Sequence, residues 1–247
     1  MDKVRTPEQI KNARKSGAIL TEVLDILTES AKEGVSAIEL DAIAVQETEK
    51  RGAKPAFLNY QGFPANLCVS INNEIVHGIP TERKLKKGDL VGIDYGVNYM
   101  GMITDAARSL SIGKPGADSK KLIDGCYDAL AHALSVIKDG VTVGDVSSTI
   151  ENVLRKYDLK VIYSLTGHGV GEQLHEDPII PNYGQAGAGE VLKAGMTIAI
   201  EPIASIGTHD LYLADDGWTY MTRDGSLSAQ FENTVLVTKD GCEVLAS

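Results

Sequence analysis

The sequence has few cysteines, few basic residues and no long apolar run. Its three cysteines, Cys68, Cys126 and Cys242, are scattered and form no C-x-x-C pair, which excludes a zinc ribbon and favours a reducing compartment, the cytoplasm. No stretch approaches the ~18 apolar residues of a membrane span, so we expect no membrane association. The 24 Lys and Arg against 34 Asp and Glu give a net charge of -10, which argues against a nucleic-acid-binding protein.

Two stretches of the chain recur at nearly the same separation. The segment GVSAIEL at 34–40 matches GVTVGDV at 140–146, and LKKGDLVGID, ending at Asp94, matches LKAGMTIAIE, ending at Glu201. The repeat predicts an internal duplication, with halves at about 1–115 and 116–247 related by a pseudo-two-fold axis. With 247 residues, 43% of them hydrophobic, we expect a single domain, 1–247. A chance match remains the alternative, because Leu-Lys-x-Gly is a common turn before a strand.

Helix signals and strand signals alternate along the chain. Capping boxes at Thr6 and Ser36 predict helices that end near Lys32 and Gly52, and Ser119 and Thr142 begin a second pair. Period-two or apolar runs predict strands at 56–60, 66–71, 74–76, 90–97 and 102–112. A helix pair followed by strands, seen twice, predicts an α/β (α+β) fold.

Four carboxylates lie inside apolar strand-like runs. Asp94 and Asp105 lie on two runs of a predicted hairpin, with Gly96, Asn98 and Gly101 as turn residues. Unpaired charge in such surroundings costs roughly several kcal/mol per ion. The downstream runs 192–206 and 228–237 add Glu201 and Glu232, and Arg108 is the only cation within the hairpin. Shared protons or Arg108 would serve two or three acids, but four are most simply explained by divalent metal.

Two of the five histidines lie in one glycine-rich segment, TGHGVGEQLHEDP. His168 has a glycine on each side, which allows close approach of the backbone, and imidazole is a frequent nitrogen ligand of divalent ions. We therefore predict His168 as the fifth ligand, with a plain loop as the alternative. His77 and His175 are candidates for a further ligand or an acid/base, whereas His132 and His209 are expected to be structural.

Five segments resemble those of the methionine aminopeptidases. They occur in the same order as in that family and span nearly the whole chain. They are CVSINNEIVHGIP, IDYG with TD after it, TGHGVG, AIEP and LSAQFENTVLVT. The resemblance implies the pita-bread fold, in which two pseudo-two-fold related halves share a central antiparallel sheet covered by helices. It implies that Asp94 binds one metal, that His168 and Glu201 bind the other, and that Asp105 and Glu232 bridge them.

The resemblance also assigns roles to residues outside the metal cluster. His77 and His175 would contact the substrate and the reaction intermediate, and Glu201 would transfer protons for a hydroxide that bridges the metals. The methionine pocket maps onto Tyr60, Phe63, Cys68, Leu174 and Trp218. Leu174 and Phe63 stand where the family commonly has an aromatic residue and a tyrosine, respectively. A sodium or potassium site would lie near Asn72 and Ser228. Cobalt, manganese, iron(II) or zinc would each suit four carboxylates and one imidazole.

The expected activity is removal of the initiator methionine from nascent chains with a small second residue. The alternatives are an X-Pro-directed exopeptidase of the same fold and a non-enzymatic pita-bread protein that binds RNA or protein. The segment INNEIVHG at 71–78 favours the methionine enzyme, and the short interval from Glu201 to Glu232 favours its type I form. We expect a monomer that acts on nascent polypeptides, with a transient ribosome contact left open.

Overall fold

Three of the four α-helices begin at the caps that the sequence indicates. The computed structural model describes residues 4–247, and its helices are α1 (Pro7–Ser30), α2 (Ala37–Lys50), α3 (Ala117–Val136) and α4 (Val143–Lys156). Capping boxes at Thr6 and Ser36 open α1 and α2, as predicted. Thr142 caps α4, also as predicted, and Asp145 completes a capping box there. α3 begins two residues before the predicted Ser119 and ends before Gly140, with Gly116 and Ile137 at its caps.

The strands of residues 4–247 pair antiparallel throughout. They are β1 (Lys54–Pro55), β2 (Leu67–Ile71), β3 (Glu74–Val76), β4 (Leu90–Tyr99), β5 (Met102–Ser111), β6 (Lys160–Val161), β7 (Thr166–Gly169), β8 (Glu176–Pro181), β9 (Thr197–Ile200), β10 (Ile203–Ser205), β11 (Leu211–Leu213), β12 (Tyr220–Thr222), β13 (Ser228–Gln230), β14 (Asn233–Val237) and β15 (Cys242–Ala246). β4 lies between β5 on one side and β1 and β2 on the other, and the largest sheet has the order β15-β14-β9-β7-β8. Two three-stranded sheets, β13-β10-β6 and β11-β12-β3, complete the fold.

The predicted hairpin forms, but its turn is tighter than expected. Gly96 and Asn98 lie within β4, and the chain reverses at Met100 and Gly101, both with positive φ. Gly96 is required for packing, because a Cβ there would lie 2.6 Å from the ring of Phe57. The prediction of Gly96 and Asn98 as turn residues was therefore wrong.

The predicted strand at 56–60 is also wrong. Only the two residues of β1 pair with β4, and the chain then turns into a 3₁₀ helix, Tyr60–Gly62. Asn59 and Gln61 adopt positive φ values of 65° and 50°, which no strand allows. The apolar Phe57 that suggested a strand is instead 6% exposed in a small cluster with Phe63.

Each half of the chain has its own hydrophobic core. One core packs α1 and α2 against β2 and β4, and the other packs α3 and α4 against β9, β13 and β14. Ala246 of β15 inserts into the first core, and Leu90 of β4 into the second, so the halves interlock. The mixed fold of helices over antiparallel sheets is confirmed, whereas the single-domain boundary and the duplication stay predictions. No helix among residues 4–247 is both long and apolar enough to cross a bilayer.

Candidate active site

Three of the four carboxylates meet where the two halves join. Asp94 lies opposite Ala107 and Asp105 opposite Gly96 in the β4–β5 ladder, so the two aspartates are diagonal neighbours on one face. Glu232 reaches the same face, because its N–H donates to the carbonyl of Ala107 at 2.9 Å and its own carbonyl accepts from Ala107 at 3.2 Å. This backbone pairing places Glu232, which belongs to the second half of the chain, beside the two aspartates of the first half.

His168 and Glu201 are positioned by two adjacent strands of the largest sheet. His168 lies in β7 opposite Ala199 of β9, and Glu201 follows directly after β9. His168 Nε2 lies 3.7 Å from Glu201 Oε1 and 3.8 Å from Glu232 Oε1. Its Nδ1 donates to the carbonyl of Gly169 at 2.9 Å, which leaves the Nε2 lone pair directed at the carboxylates.

The carboxylates lack the partners that a buried charge requires. Asp94 Oδ1, Asp105 Oδ1 and Glu232 Oε1 are buried without a hydrogen-bond partner among the described residues. Burial raises the pKa of Asp94 to about 7. Burial, and then repulsion from the neighbouring carboxylates, raises the pKa values of Asp105, Glu201 and Glu232 well above the ordinary range. These groups cannot all ionise unless a cation joins them.

Arg108, which the sequence suggests as a counter-charge for the acids, lies on the opposite face of β5 from Asp105. Its guanidinium binds Asp25 at 2.7 Å and the carbonyl of Ser247. Arg108 is therefore not the counter-charge of the cluster. Ligand atoms of Asp105, His168 and Glu232, all buried, lie within 4.8 Å of one another, so these three residues can hold a metal ion.

Gln230 is a polar member of the cluster that the sequence reasoning missed. Its Nε2 donates to Glu201 Oε2 at 3.2 Å and lies 3.5 Å from Glu232 Oε2. It orients these two glutamates by hydrogen bonding. The predicted run 228–237 contained the signal, because residues two apart on a strand share a face and Gln230 precedes Glu232 by two positions.

The twelve residues predicted for catalysis, for binding of the divalent metals and for the methionine pocket all line one cavity. It holds about 620 Å³ of empty space, part of it open to solvent, and the acids and His168 occupy one end. The other end is apolar: Phe63, Cys68 and Leu174 are buried there, with Tyr60 and Trp218 packed against them. Phe57 adds a wall that the sequence does not predict, and the exposed Gln61 also lines the cavity.

His77 and His175 lie between the acidic and the apolar ends. The rings of His175 and His168 are 4.3 Å apart, and the Tyr60 hydroxyl lies 3.1 Å from His175 Nδ1. Burial lowers the pKa of His77 to about 4 and also lowers that of His175, so both rings are neutral near pH 7. If His175 Nδ1 accepts from Tyr60, its Nε2 carries the proton and is a donor.

A second, wider groove begins at the same histidines. It holds about 1070 Å³ and shares His77, His168, His175 and Glu201 with the first cavity. Its remaining walls come from β3, β10, the segment 164–166 and the start of β8. A chain that places one end in the apolar pocket can therefore continue past the acids into open space.

Helix-covered antiparallel sheets around a buried cluster of acids and one imidazole are the architecture of a metal-dependent pita-bread hydrolase. The comparison with family models agrees, because the description "Metallopeptidase family M24" matches residues 11–239. The chain belongs to this family, within its methionine aminopeptidase branch.

Two of the methionine aminopeptidases match this chain over almost their whole lengths. A methionine aminopeptidase of Aquifex aeolicus is 44% identical, covering 96% of this chain and 95% of that one. The crystal structure of the methionine aminopeptidase from Rickettsia prowazekii superposes with a TM-score of 0.97 at 39% identity, covering 100% of both chains. A prolidase from Pyrococcus furiosus has the same fold with a TM-score of 0.80 at 26% identity, and this chain covers 65% of it.

Proposed function

We propose that this protein is a methionyl aminopeptidase, which removes N-terminal methionine from nascent proteins and peptides with a small second residue. The observation that carries the proposal is one cavity in which an acidic cluster faces an apolar slot. The relatives named methionine aminopeptidase support the substrate, and the wide groove supports a peptide rather than a free amino acid. The small-residue rule follows from the resemblance to those relatives.

We assign the acids and His168 to two divalent metal ions. Asp94 would bind one ion, His168 and Glu201 the other, with Asp105 and Glu232 between them; the unpartnered buried oxygens support the fit. Cobalt, manganese, iron(II) and zinc all suit this mixture of carboxylate and imidazole. When bound, the ions supply an activated water at neutral pH and polarise the scissile carbonyl.

The protein's own groups would bind the substrate and transfer protons. Glu201 would accept a proton from the attacking water and return it to the leaving amine, while Gln230 holds its second oxygen at 3.2 Å. His175 would donate from Nε2 to the carbonyl oxygen as negative charge develops there. His77 would hydrogen-bond the substrate amide. Burial lowers the pKa values of both histidines, so each imidazole is neutral near pH 7 and keeps one N–H that can donate.

The apolar slot suits a methionine side chain. Phe63 and Trp218 meet edge to face with ring centroids 5.2 Å apart, and Cys68 and Leu174 close the buried end. A thioether is polarisable and packs well against aromatic edges. Leu174 stands where the family commonly has an aromatic ring, and Phe57 provides an aromatic wall in the same cluster.

The substrate assay compares three peptides. We expect Met-Ala-Ser to be cleaved, Met-Lys-Ser to be cleaved far more slowly, and Ala-Pro to be left intact, with all cleavage lost in chelator and restored by manganese, iron(II) or cobalt. Chromatography of the products measures each rate. Cleavage of Ala-Pro but not of Met-Ala-Ser would establish the X-Pro alternative. A lack of cleavage with each metal would favour the non-enzymatic alternative.

Metal removal should give an unusual dependence of stability on pH. The folded-state pKa values of the acids, about 7 for Asp94, lie above their unfolded values near 4, so the metal-free folded state binds more protons. The lowered pKa values of His77, His168 and His175 act in the opposite sense below about pH 6.5, because there the unfolded state binds more imidazole protons than the folded state. The free energy of unfolding should therefore fall mainly above about pH 6.5, by roughly several kcal/mol on going to pH 8. Thermal unfolding with and without chelator at pH 5 and 8 measures this. A metal-free protein that is equally stable at both would contradict it.

We further propose the cytoplasm as the location and a monomer as the working form, without nucleic-acid binding. A transient contact with the ribosome would bring it to nascent substrates. A sodium or potassium ion would bind near Asn72 and Ser228. In support, the Ser228 hydroxyl lies 3.3 Å from the carbonyl of Asn72 and 3.2 Å from that of Glu74, so that several oxygens converge there.

A further inference from the structure

The loop between β7 and β8, residues 170–175, carries two groups of the proposed reaction with little regular backbone pairing. Leu174 lines the apolar slot and His175 faces His168. The β7–β8 ladder shifts register between His168 and Gly169, and residues 171–175 form a series of bends. Strand pairing alone therefore does not fix the direction in which His175 points.

Arg5 fills the space behind this loop. Its side chain is 2% exposed, and its guanidinium donates to Thr197 Oγ1 at 2.9 Å, to the carbonyl of Val170 at 3.0 Å and to the carboxylate of Glu176. Gly171 lies directly against it, because a Cβ there would be 2.5 Å from Arg5 Cζ. The loop is thus shaped around the guanidinium.

Glu176 transmits this contact to the loop. Its side chain is fully buried, and it directly follows His175 in the chain. One carboxylate oxygen accepts from Arg5, and the other accepts from the N–H of Gln173 at 2.8 Å. The residues on both sides of Leu174 and His175 are therefore bound to one ion pair.

The segment that carries Arg5 is itself fixed to the second half of the chain. The N–H of Arg5 donates to the carbonyl of Gly195 at 2.9 Å, and Val4 forms an antiparallel bridge with Met196. The guanidinium therefore has a rigid base beside β9. Because its backbone is fixed and its guanidinium is hydrogen-bonded on several sides, Arg5 can hold Glu176 in one position.

We propose that Arg5 is a positioning residue, which acts through Glu176 to point His175 at the scissile carbonyl and to hold Leu174 in the wall of the slot. The inference rests on the proposed function. Removal of one partner of a buried ion pair also destabilises the whole fold, because the other charge is left buried and unpaired. The test must therefore separate a local effect on the loop from a global loss of stability.

The test compares Arg5→Met, Arg5→Lys and the control Arg14→Met, which breaks the exposed Arg14–Glu243 pair at 2.7 Å. Each is made in the wild type and in His175→Ala. We expect Arg5→Met to lower kcat on Met-Ala-Ser by ~10–100-fold with a smaller change in KM, Arg5→Lys to recover part of it, and Arg14→Met to change neither. In His175→Ala, the further loss from Arg5→Met should be less than ~3-fold, because the two act on the same step.

Hydrogen exchange gives a second readout that needs no substrate. Amides of residues 170–176 should exchange faster in Arg5→Met, while those of α3 and α4 keep their protection. If Arg5→Met does not fold, Glu176→Gln, which keeps the shape of the side chain, takes its place in both measurements. Full additivity with His175→Ala, or faster exchange throughout the chain, would overturn the proposal. If the wild type cleaves no methionyl peptide, the proposed function fails, and hydrogen exchange alone decides whether Arg5 holds the loop.

Discussion

Asp105→Asn should abolish peptide cleavage while making the metal-free protein more stable. The substitution keeps the shape of the side chain but removes a charge that we place between two metal ions. Loss of an outer partner of a ligand typically costs ~10–100-fold in affinity or activity, so loss of a shared ligand should cost at least about a thousandfold. Calorimetric metal titration and kcat/KM on Met-Ala-Ser measure both effects.

The gain in stability has a separate cause. Burial and the neighbouring carboxylates raise the pKa of Asp105, so its ionised form destabilises the metal-free folded state. Asparagine carries no charge, and the variant should unfold at a higher temperature than the wild type at pH 8 but not at pH 4, where the acid is protonated. Asp25→Asn, which removes an exposed partner of Arg108, is the matched control and should leave metal binding unchanged. Full metal affinity in Asp105→Asn would refute the ligand assignment.

His175→Ala should lower kcat by about a hundred- to a thousandfold without loss of bound metal. Removal of one donor to a developing oxyanion costs ~10²–10³ in kcat. His175 is not among the proposed ligands, so the metal content of the purified protein should match that of the wild type. Steady-state kinetics on Met-Ala-Ser and elemental analysis separate the two effects.

Two control variants test whether the loss of activity is specific to the imidazole of His175. Tyr60→Phe removes only the hydroxyl 3.1 Å from His175 Nδ1 and should cause a smaller loss than His175→Ala. His132→Ala removes an exposed imidazole on α3 and should have no effect. A loss of metal in His175→Ala would mean that this histidine is a ligand instead.

The acidic cluster could be predicted because its members break the pattern of their surroundings. Burial of a carboxylate within an apolar strand costs free energy, so four carboxylates in such positions predict a shared metal site from the sequence alone. The alternation of strand side chains could also have excluded Arg108, because it lies three positions from Asp105 and so faces the other side of β5. The structure places it there, bound to Asp25.

The apolar end of the cavity was harder to predict from the residues alone. The apolar pattern predicts Phe57 as part of a strand, but Asn59 and Gln61 adopt left-handed conformations, which turn the segment around the slot. Nothing in a short apolar run distinguishes a residue that packs in a sheet from one that lines a pocket. The residues of the slot are therefore predictable only through the resemblance to relatives, and the contribution of Phe57 is visible only in the folded structure.

Because Asp94 and Asp105 lie in the first half of the chain and His168, Glu201 and Glu232 in the second, neither half alone contains the complete set of proposed ligands. A copy still under synthesis, with residues up to 231 made and the rest unmade, would possess the slot yet lack Glu232. Such an incomplete copy should not hydrolyse other polypeptides. Peptidase activity should appear only when both halves have been synthesised and have packed together.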